Sequence, residues 1–413
     1  LRSRTIVDIM NIIGRCVVAG NVRRTAEIAF GEVDDGDFLD LKNYVANPDR
    51  AAWGWVSNNS VFAQLGMDYN DICRRIVDNG EPGLCWLENM RAYSRMHDAP
   101  DWRDRRVCGG NPCMEQSLEN GEMCNLVETF PARHDSLDDY VRTLECALLY
   151  AKTVTLVPSG VINGARTDAI VARNRRIGCS VSGVAQFLST RSVDELRRWL
   201  DVGYRAIRRA DVELSAKMRV STSVKLTSVK PSGTVSLLAG ATPGMHYPIS
   251  RFYVRRVRLS SLNPIVGELR AAGHHSEPCV NSPDTTCIVS IPVDAGVGVR
   301  CAASVNMWEQ LSLAAFLQRH WADNQVSVTV TFDPDHTPAG EIAHALDYFQ
   351  YSLKSVSFLP TRAGGGCFPQ MPYESIDEGT YKRLCSEIRG IRAAFADSDH
   401  SDEVYCDGDS CVW

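Results

Sequence analysis

Apolar positions fall into helical stripes along much of the chain. Ile6, Ile9, Met10 and Ile13 recur at i, i+3, i+4 and i+7, as on one face of a helix. The pattern begins almost at Leu1, so the sequence reads as starting in mid-domain. Residues 136–150 put Leu137, Tyr140, Val141, Leu144 and Leu148 on one stripe. Ser192 with Glu195 three residues on is a capping box, and Leu196, Trp199, Leu200 and Ile207 continue the apolar face behind it. Thr337-Pro338 reads as an N-cap followed by a proline in the first turn, ahead of Ile342, Leu346, Phe349 and Leu353. Asn263-Pro264 opens another helix that closes near Gly273. Between them, residues 326–332 alternate cleanly, 286–293 form a mostly apolar run, and 224–229 lead into a glycine-containing loop. Strands alternating with helices predict an α/β architecture with parallel strands.

Composition narrows this picture in three ways. No apolar run reaches the ~18 residues that span a bilayer, and the first residues carry two arginines without a signal-peptide pattern. A cytoplasmic protein with no membrane partner is therefore expected. The net charge of -6 is matched by six acids between Asp397 and Asp409, a stretch without Lys or Arg. The body is thus balanced, with no basic surface for nucleic acid, and a solvated acidic tail is expected over 396–413. Fifteen cysteines, scattered rather than regularly spaced, point to free thiols or redox chemistry rather than a disulfide framework.

The densest chemistry lies in Cys108-Gly-Gly-Asn-Pro-Cys-Met-Glu-Gln-Ser-Leu-Glu-Asn-Gly-Glu-Met-Cys-Asn-Leu126. Glycines and Asn-Pro predict a loop. Asn111, Cys113 and Glu115 alternate, so an extended backbone would point all three the same way. A thiol, an amide and a carboxylate in one small volume suit hydrogen transfer, substrate orientation and proton abstraction. Cys124 adds a second thiol. A four-thiolate zinc site from Cys108, Cys113, Cys406 and Cys411 would leave Asn111 and Glu115 unexplained, so no metal site is expected. Pro231-Ser-Gly-Thr-Val-Ser236 follows a strand. Gly233 lets a ligand approach the backbone, and Ser232, Thr234 and Ser236 offer hydroxyls beside Pro231 and Val235, a phosphate cradle at a helix start. The arginines at 251, 255, 256 and 258 read as a solvated strand face.

Asn-Pro-Cys-x-Glu followed by Glu-x-Cys-Asn-Leu resembles the active-site finger loop of ribonucleotide reductases. Val17-Val-Ala-Gly-Asn-Val-Arg-Arg24, Gly54-Trp-Val-Ser-Asn-Asn-Ser60, Gly80-Glu-Pro-Gly83, the segment from Pro231 to Ser236, and Gln370-Met-Pro-Tyr373 resemble the monomeric, adenosylcobalamin-dependent class II members. The resemblance runs over essentially the whole chain. It implies the second half of a ten-stranded α/β barrel over residues 1–395, with a finger loop at about 108–126, and adenosylcobalamin as cofactor. It implies reduction of ribonucleoside triphosphates to deoxyribonucleotides. Cys113 would carry a thiyl radical, Glu115 would take the 3′-hydroxyl proton, Asn111 would bond the ribose hydroxyls, and Cys124 would be one of two reducing thiols. Residues 231–236 would bind the substrate phosphates. Cys406 and Cys411 would shuttle electrons from thioredoxin to the active-site disulfide. Their acidic neighbours should raise the thiol pKa values, so mobility and local concentration would drive the exchange. His246 lies in a stretch that continues the resemblance and is expected to be structural.

The family carries its second reducing thiol and its specificity loops upstream of the finger. Cys16, Cys73 and Cys85 stand in no such context. The expectation is a split-enzyme half or a truncated gene product, inactive without an N-terminal half of the barrel. Two rivals are another thiyl-radical enzyme of the glycyl-radical type, against which the terminal dithiol speaks, and an inactive nucleotide-binding fragment, against which the intact Asn111, Cys113, Glu115 and Cys124 speak.

Overall fold

The computed structural model describes residues 2–18, 25–160, 164–280, 283–361 and 370–390. The acidic tail with Cys406 and Cys411, and the motif residues 19–24, lie outside the described residues. The chain divides into two compact units, 1–12 with 26–251 and 295–366, and 13–25 with 252–294 and 367–413.

In chain order the strands are β1 (Glu27–Glu32), β2 (Ser57–Phe62), β3 (Gly83–Cys85), β4 (Val107–Gly110), β5 (Ser117–Glu119), β6 (Leu126–Thr129), β7 (Gly178–Val181), β8 (Thr227–Ser228), β9 (Phe252–Ser260), β10 (Ser276–Pro278), β11 (Thr286–Asp294), β12 (Thr329–Phe332), β13 (Ser355–Pro360) and β14 (Tyr373–Ser375).

The first unit is mixed α/β. One sheet runs β1-β2-β3-β13-β12, and a second runs β6-β7-β8. Neighbours are parallel except β3 and β13, which are antiparallel. A single parallel bridge between Val229 and Val326 links the end of β8 to the approach to β12. β12 alternates, with Val330 and Phe332 buried in the core and Thr329 and Thr331 half-buried on the other face. Helices Leu137–Val154 and Val193–Met218 pack on one another through Tyr140 stacked on Trp199, ring centroids 5.6 Å apart. Gly203 permits this approach, since a Cβ there would meet Leu144 at 2.7 Å. One large apolar core, with Trp86, Phe187, Leu226 and Trp321 fully buried, holds the sheets and helices of this unit together.

The second unit is a small antiparallel sheet, β10-β11-β9-β14. Its own core is Val266, Cys287 and Val289. The prediction of parallel strands fails here, because periodicity records which residues are buried and not which way a neighbour runs. The arginine face is only partly solvated. Arg255 donates to the Pro372 carbonyl at 3.1 Å and Arg256 to that of Met371 at 3.0 Å, and Arg256 pairs with Glu374.

Most predicted helices form where their caps placed them. Ser192 and Glu195 make the reciprocal capping box, and Asn263 accepts from Ile265 N–H. Thr337 does not cap its helix: Ala339–Phe349 starts one residue later, with Pro338 at the cap position. The stripe Ile6, Ile9, Met10 and Ile13 does form on helix Ser3–Val18, but each residue is about half exposed (50–52%) rather than buried.

Candidate active site

Residues 111–116 are not an extended loop. β4 and β5 form an antiparallel hairpin, so Gly109 and Gly110 are strand residues, and Asn111 to Gln116 make its tip. Asn111 N–H donates to the Gln116 carbonyl at 3.2 Å and Met114 N–H to the Asn111 carbonyl at 2.8 Å. The Asn111 side-chain Oδ1 accepts from Gln116 N–H at 2.9 Å, and Met114 sits in the left-handed region at φ 61°. This tight turn, not alternation along an extended chain, is what brings Asn111, Cys113 and Glu115 together.

The turn is held from several sides. Asn58 Nδ2 donates to the Pro112 carbonyl at 3.0 Å, and Gln325 N–H donates to the Glu115 carbonyl at 3.1 Å. Gln116 Nε2 donates to the Asn125 carbonyl at 2.9 Å. Met114 anchors the underside in an apolar cluster with Cys85, Met90 and Val107. Gly178 leaves room for the tip, since a Cβ there would meet Gln116 Nε2 at 2.3 Å.

Glu115 is fully buried. Its Oε1 accepts from Lys230 Nζ at 3.0 Å, and its Oε2 has no partner. Cys113 is half-buried. Burial pushes its thiol up, the charge of Glu115 adds to this, and Lys230 opposes both. Cys124 is exposed as a residue, yet packed closely enough that desolvation and then Glu115 push its thiol up too, with Cys113 among the groups acting on it. Burial alone would lower the Lys230 ammonium. Glu115 overcomes that and raises it, with Cys113 and Cys124 contributing. Lys230 is thus the charge that Cys113, Glu115 and Cys124 share.

Two members of this group were not anticipated from the sequence. One is Lys230 itself, directly before the Pro231-Ser-Gly-Thr-Val-Ser236 motif. The other is Glu128 on β6, four residues after Cys124. Ser180 Oγ donates to Glu128 Oε1 at 3.0 Å, and Lys230 N–H donates to the same Ser180 Oγ at 2.8 Å. Burial pushes the Glu128 carboxyl up to about 7, against the hydroxyls of Ser182 and Ser180 and the charge of Lys230. A carboxyl raised this way is protonated in the folded protein between about 4.3 and 7, where the unfolded chain has already ionised. Stability should therefore fall as pH rises through that window and level off above it. Glu128→Gln should remove this loss, about 3 kcal/mol, in urea midpoints compared at pH 5 and pH 8. A variant with the wild-type slope would show that Glu128 titrates normally.

Residues 231–236 form a turn into a helix of four residues, Val235–Leu238. Ser232 and Ser236 are buried, the Ser236 hydroxyl lacks a partner, and Thr234 and Val235 are exposed. Buried polar atoms without partners include Glu115 Oε2, Gln116 Oε1 and Ser117 Oγ on the hairpin, both side-chain polar atoms of Gln325, whose backbone holds the tip, and Ser228 Oγ and Ser236 Oγ on either side of Lys230. Native interiors leave few such groups unpaired unless water or a ligand completes them. His246 is engaged on both ring nitrogens, Nδ1 against the Pro243 carbonyl and Nε2 accepting from Thr329 N–H at 3.1 Å. Among the described residues no group of His, Cys, Asp and Glu could hold a metal ion, and no helix is long and apolar enough to cross a membrane.

No family model matches the chain. Individual relatives do. It is 54% identical to the adenosylcobalamin-dependent ribonucleoside-triphosphate reductase of Euglena gracilis, over 98% of this chain and 56% of that one. It is 51% identical to the probable enzyme of the same name from Dictyostelium discoideum, over 100% and 54%. A solved structure of a B12-dependent (class II) ribonucleotide reductase superposes with a TM-score of 0.80 at 34% identity, covering 94% of this chain and 56% of that one. The class Id reductase α subunit of Actinobacillus ureae, at 14% identity and a TM-score of 0.54, shares the fold alone.

Proposed function

Since the chain belongs with the adenosylcobalamin-dependent ribonucleotide reductases along its whole length, while spanning about half of theirs, we propose that it supplies the catalytic finger of such an enzyme. The observation that carries this reading is the gathering of Cys113, Glu115 and Cys124 around one lysine, beside unpartnered buried polar atoms. The substrate is a ribonucleoside triphosphate, with its phosphates on residues 231–236 and its ribose over the hairpin tip.

The residues suit adenosylcobalamin. A cofactor whose cobalt arrives inside its own ring needs no protein metal site, and Cys113 with the exposed Asn58 beside it presents an open face. The bound cofactor supplies the radical equivalent that Cys113 carries. Cys113 takes the ribose 3′ hydrogen, and Glu115 accepts the 3′-hydroxyl proton through Oε2, its free oxygen. Asn111 keeps its Oδ1 on the turn and offers Nδ2 to the ribose hydroxyls. The 2′-hydroxyl leaves as water. Two electrons and two protons come from Cys124 and a second thiol as they become a disulfide, and Cys113 returns the 3′ hydrogen. With the ribose seated over the hairpin tip, the half-buried Cys113 would be closed off from water.

With Cys113 as the radical site, Cys124 needs another thiol as its disulfide partner. We assign that thiol to a companion segment that completes the barrel. Among the described residues β1 and β6 have one paired neighbour each, and the half-exposed stripe from Ile6 to Ile13 offers apolar surface to such a segment. The isolated chain should then be inactive. In the complete enzyme Cys124→Ser should stop deoxynucleotide formation with any reductant. Normal turnover of that variant with dithiothreitol would contradict the assignment.

Cys406 and Cys411 serve as the shuttle that thioredoxin recharges. Changing both to Ser should leave a single turnover intact and stop thioredoxin-driven multiple turnover, with partial rescue by dithiothreitol. Equal loss with both reductants would contradict the shuttle.

A further inference from the structure

We propose that Lys230 is a positioning residue for the reaction: it fixes one oxygen of Glu115 as a carboxylate, leaving the other as the acceptor for the substrate proton. The proposal rests on the reading of Glu115 as the proton acceptor.

The geometry is specific. Glu115 is fully buried, and a buried carboxylate without a cation takes up a proton rather than stay charged. Lys230 supplies that cation at 3.0 Å, reaching in with its side chain one third exposed. Its backbone is held as well. Lys230 N–H donates to Ser180 Oγ, whose own proton goes to Glu128. Lys230 is therefore tied at both ends, its backbone N–H to the Ser180–Glu128 pair and its Nζ to Glu115, which joins β6, β7, the start of the 231–236 loop and the hairpin tip. Of the two Glu115 oxygens, only Oε2 remains without a partner. The titratable groups facing Lys230 are Glu115 and Cys113 from the hairpin tip, and Cys124 and Glu128 from β6 and its approach. Lys230 also begins the segment assigned to the substrate phosphates, so the same backbone sets the phosphate loop and the base.

Removing the charge should leave the buried Glu115 side chain without its cation and a poorer proton acceptor. In the complete enzyme Lys230→Met should lower kcat at pH 7 by roughly ten- to a hundredfold. Its rate–pH profile should move to higher pH on the acid side by about one unit or more, with part of the activity returning in alkaline buffer. Lys230→Arg, which keeps the charge, should stay within a few-fold of wild type. A second reading needs neither substrate nor cofactor: the pH midpoint for alkylation of Cys124 should rise in Lys230→Met and fall in Glu115→Gln. If Lys230→Met does not fold, Lys230→Gln, which keeps a donor without the charge, is read the same way.

An unmoved rate–pH profile in the uncharged variant, or a loss confined to KM, would overturn the proposal and leave Lys230 as a phosphate contact or a structural lysine. The two readings separate cleanly. Wild-type kcat in Glu115→Gln sinks the assignment of Glu115 as acceptor. An inactive Glu115→Gln beside an unshifted Lys230→Met sinks only the role of Lys230.

Discussion

Cys113→Ser should abolish deoxynucleotide formation, by on the order of 10⁴-fold or more, while nucleotide affinity stays within a few-fold of wild type. The substitution is nearly isosteric, and the hairpin tip does not depend on the thiol. The turn is closed by Asn111, Asn58 and Gln325 through backbone groups and amide side chains. What changes is the chemistry. A thiol gives up its hydrogen atom readily and takes it back from carbon, whereas a hydroxyl holds its hydrogen too strongly to do so. With the substrate phosphates on the 231–236 loop, as proposed, binding would be carried away from the thiol, so ground-state affinity and turnover should part company. Nucleotide affinity by equilibrium binding, set against product formation by chromatography, reads both. Retained turnover would remove Cys113 from the mechanism, and loss of both together would mean that the substitution had unmade the turn.

The second large effect is on stability. Arg176 is almost wholly buried. It bonds Asp104 through two nitrogens at 2.7 Å and Glu122 through Nε at 2.9 Å. Lys225 adds a contact to Asp104 at 3.0 Å. Burial alone would raise the Asp104 carboxyl, but Lys225 and Arg176 overcome it and hold the carboxyl well below the usual carboxylate range. A depressed carboxylate contributes stability above its unfolded pKa, near 4, and loses it only as pH falls through the lower folded value. Arg176→Met strands two buried acids against one remaining lysine and Asn174. It should cost about 3–5 kcal/mol, with the loss greatest at neutral pH and shrinking below pH 4. Glu122 also accepts from Glu119 N–H and lies two residues before Cys124, and the Arg176 charge helps hold the Cys124 thiol down, so the pH midpoint for alkylation of Cys124 should rise in the variant. A loss under about 1 kcal/mol at pH 7 would show that Arg176 merely fills space.

How far these features are legible in the sequence depends on how local they are. The Ser192–Glu195 capping box and the Asn263 cap are decided within one turn of helix, and spacing alone placed them. The finger is harder. Its residue types announced their chemistry, but the left-handed Met114 turned an expected extended run into a hairpin tip, which no alternation pattern records. Lys230 and Glu128 were passed over because their meaning comes from Glu115 and Ser180, far away in the chain. A lysine abutting the 231–236 motif, and a carboxyl four residues beyond Cys124, are the signals that could have found them. The antiparallel β9–β11 pair and the exposed Ile6 stripe fail for one reason. Periodicity marks an apolar face without saying what, if anything, covers it.

The claim at the centre of this account is that these residues work through adenosylcobalamin on a ribonucleotide. The most direct measurement follows deoxyribonucleoside triphosphate formed by the complete enzyme from a ribonucleoside triphosphate and dithiothreitol, with and without added adenosylcobalamin. Product that accumulates over many turnovers only when the cofactor is present is the predicted result. Reduction at the same rate without it, or none with it despite tight nucleotide binding, would contradict the account.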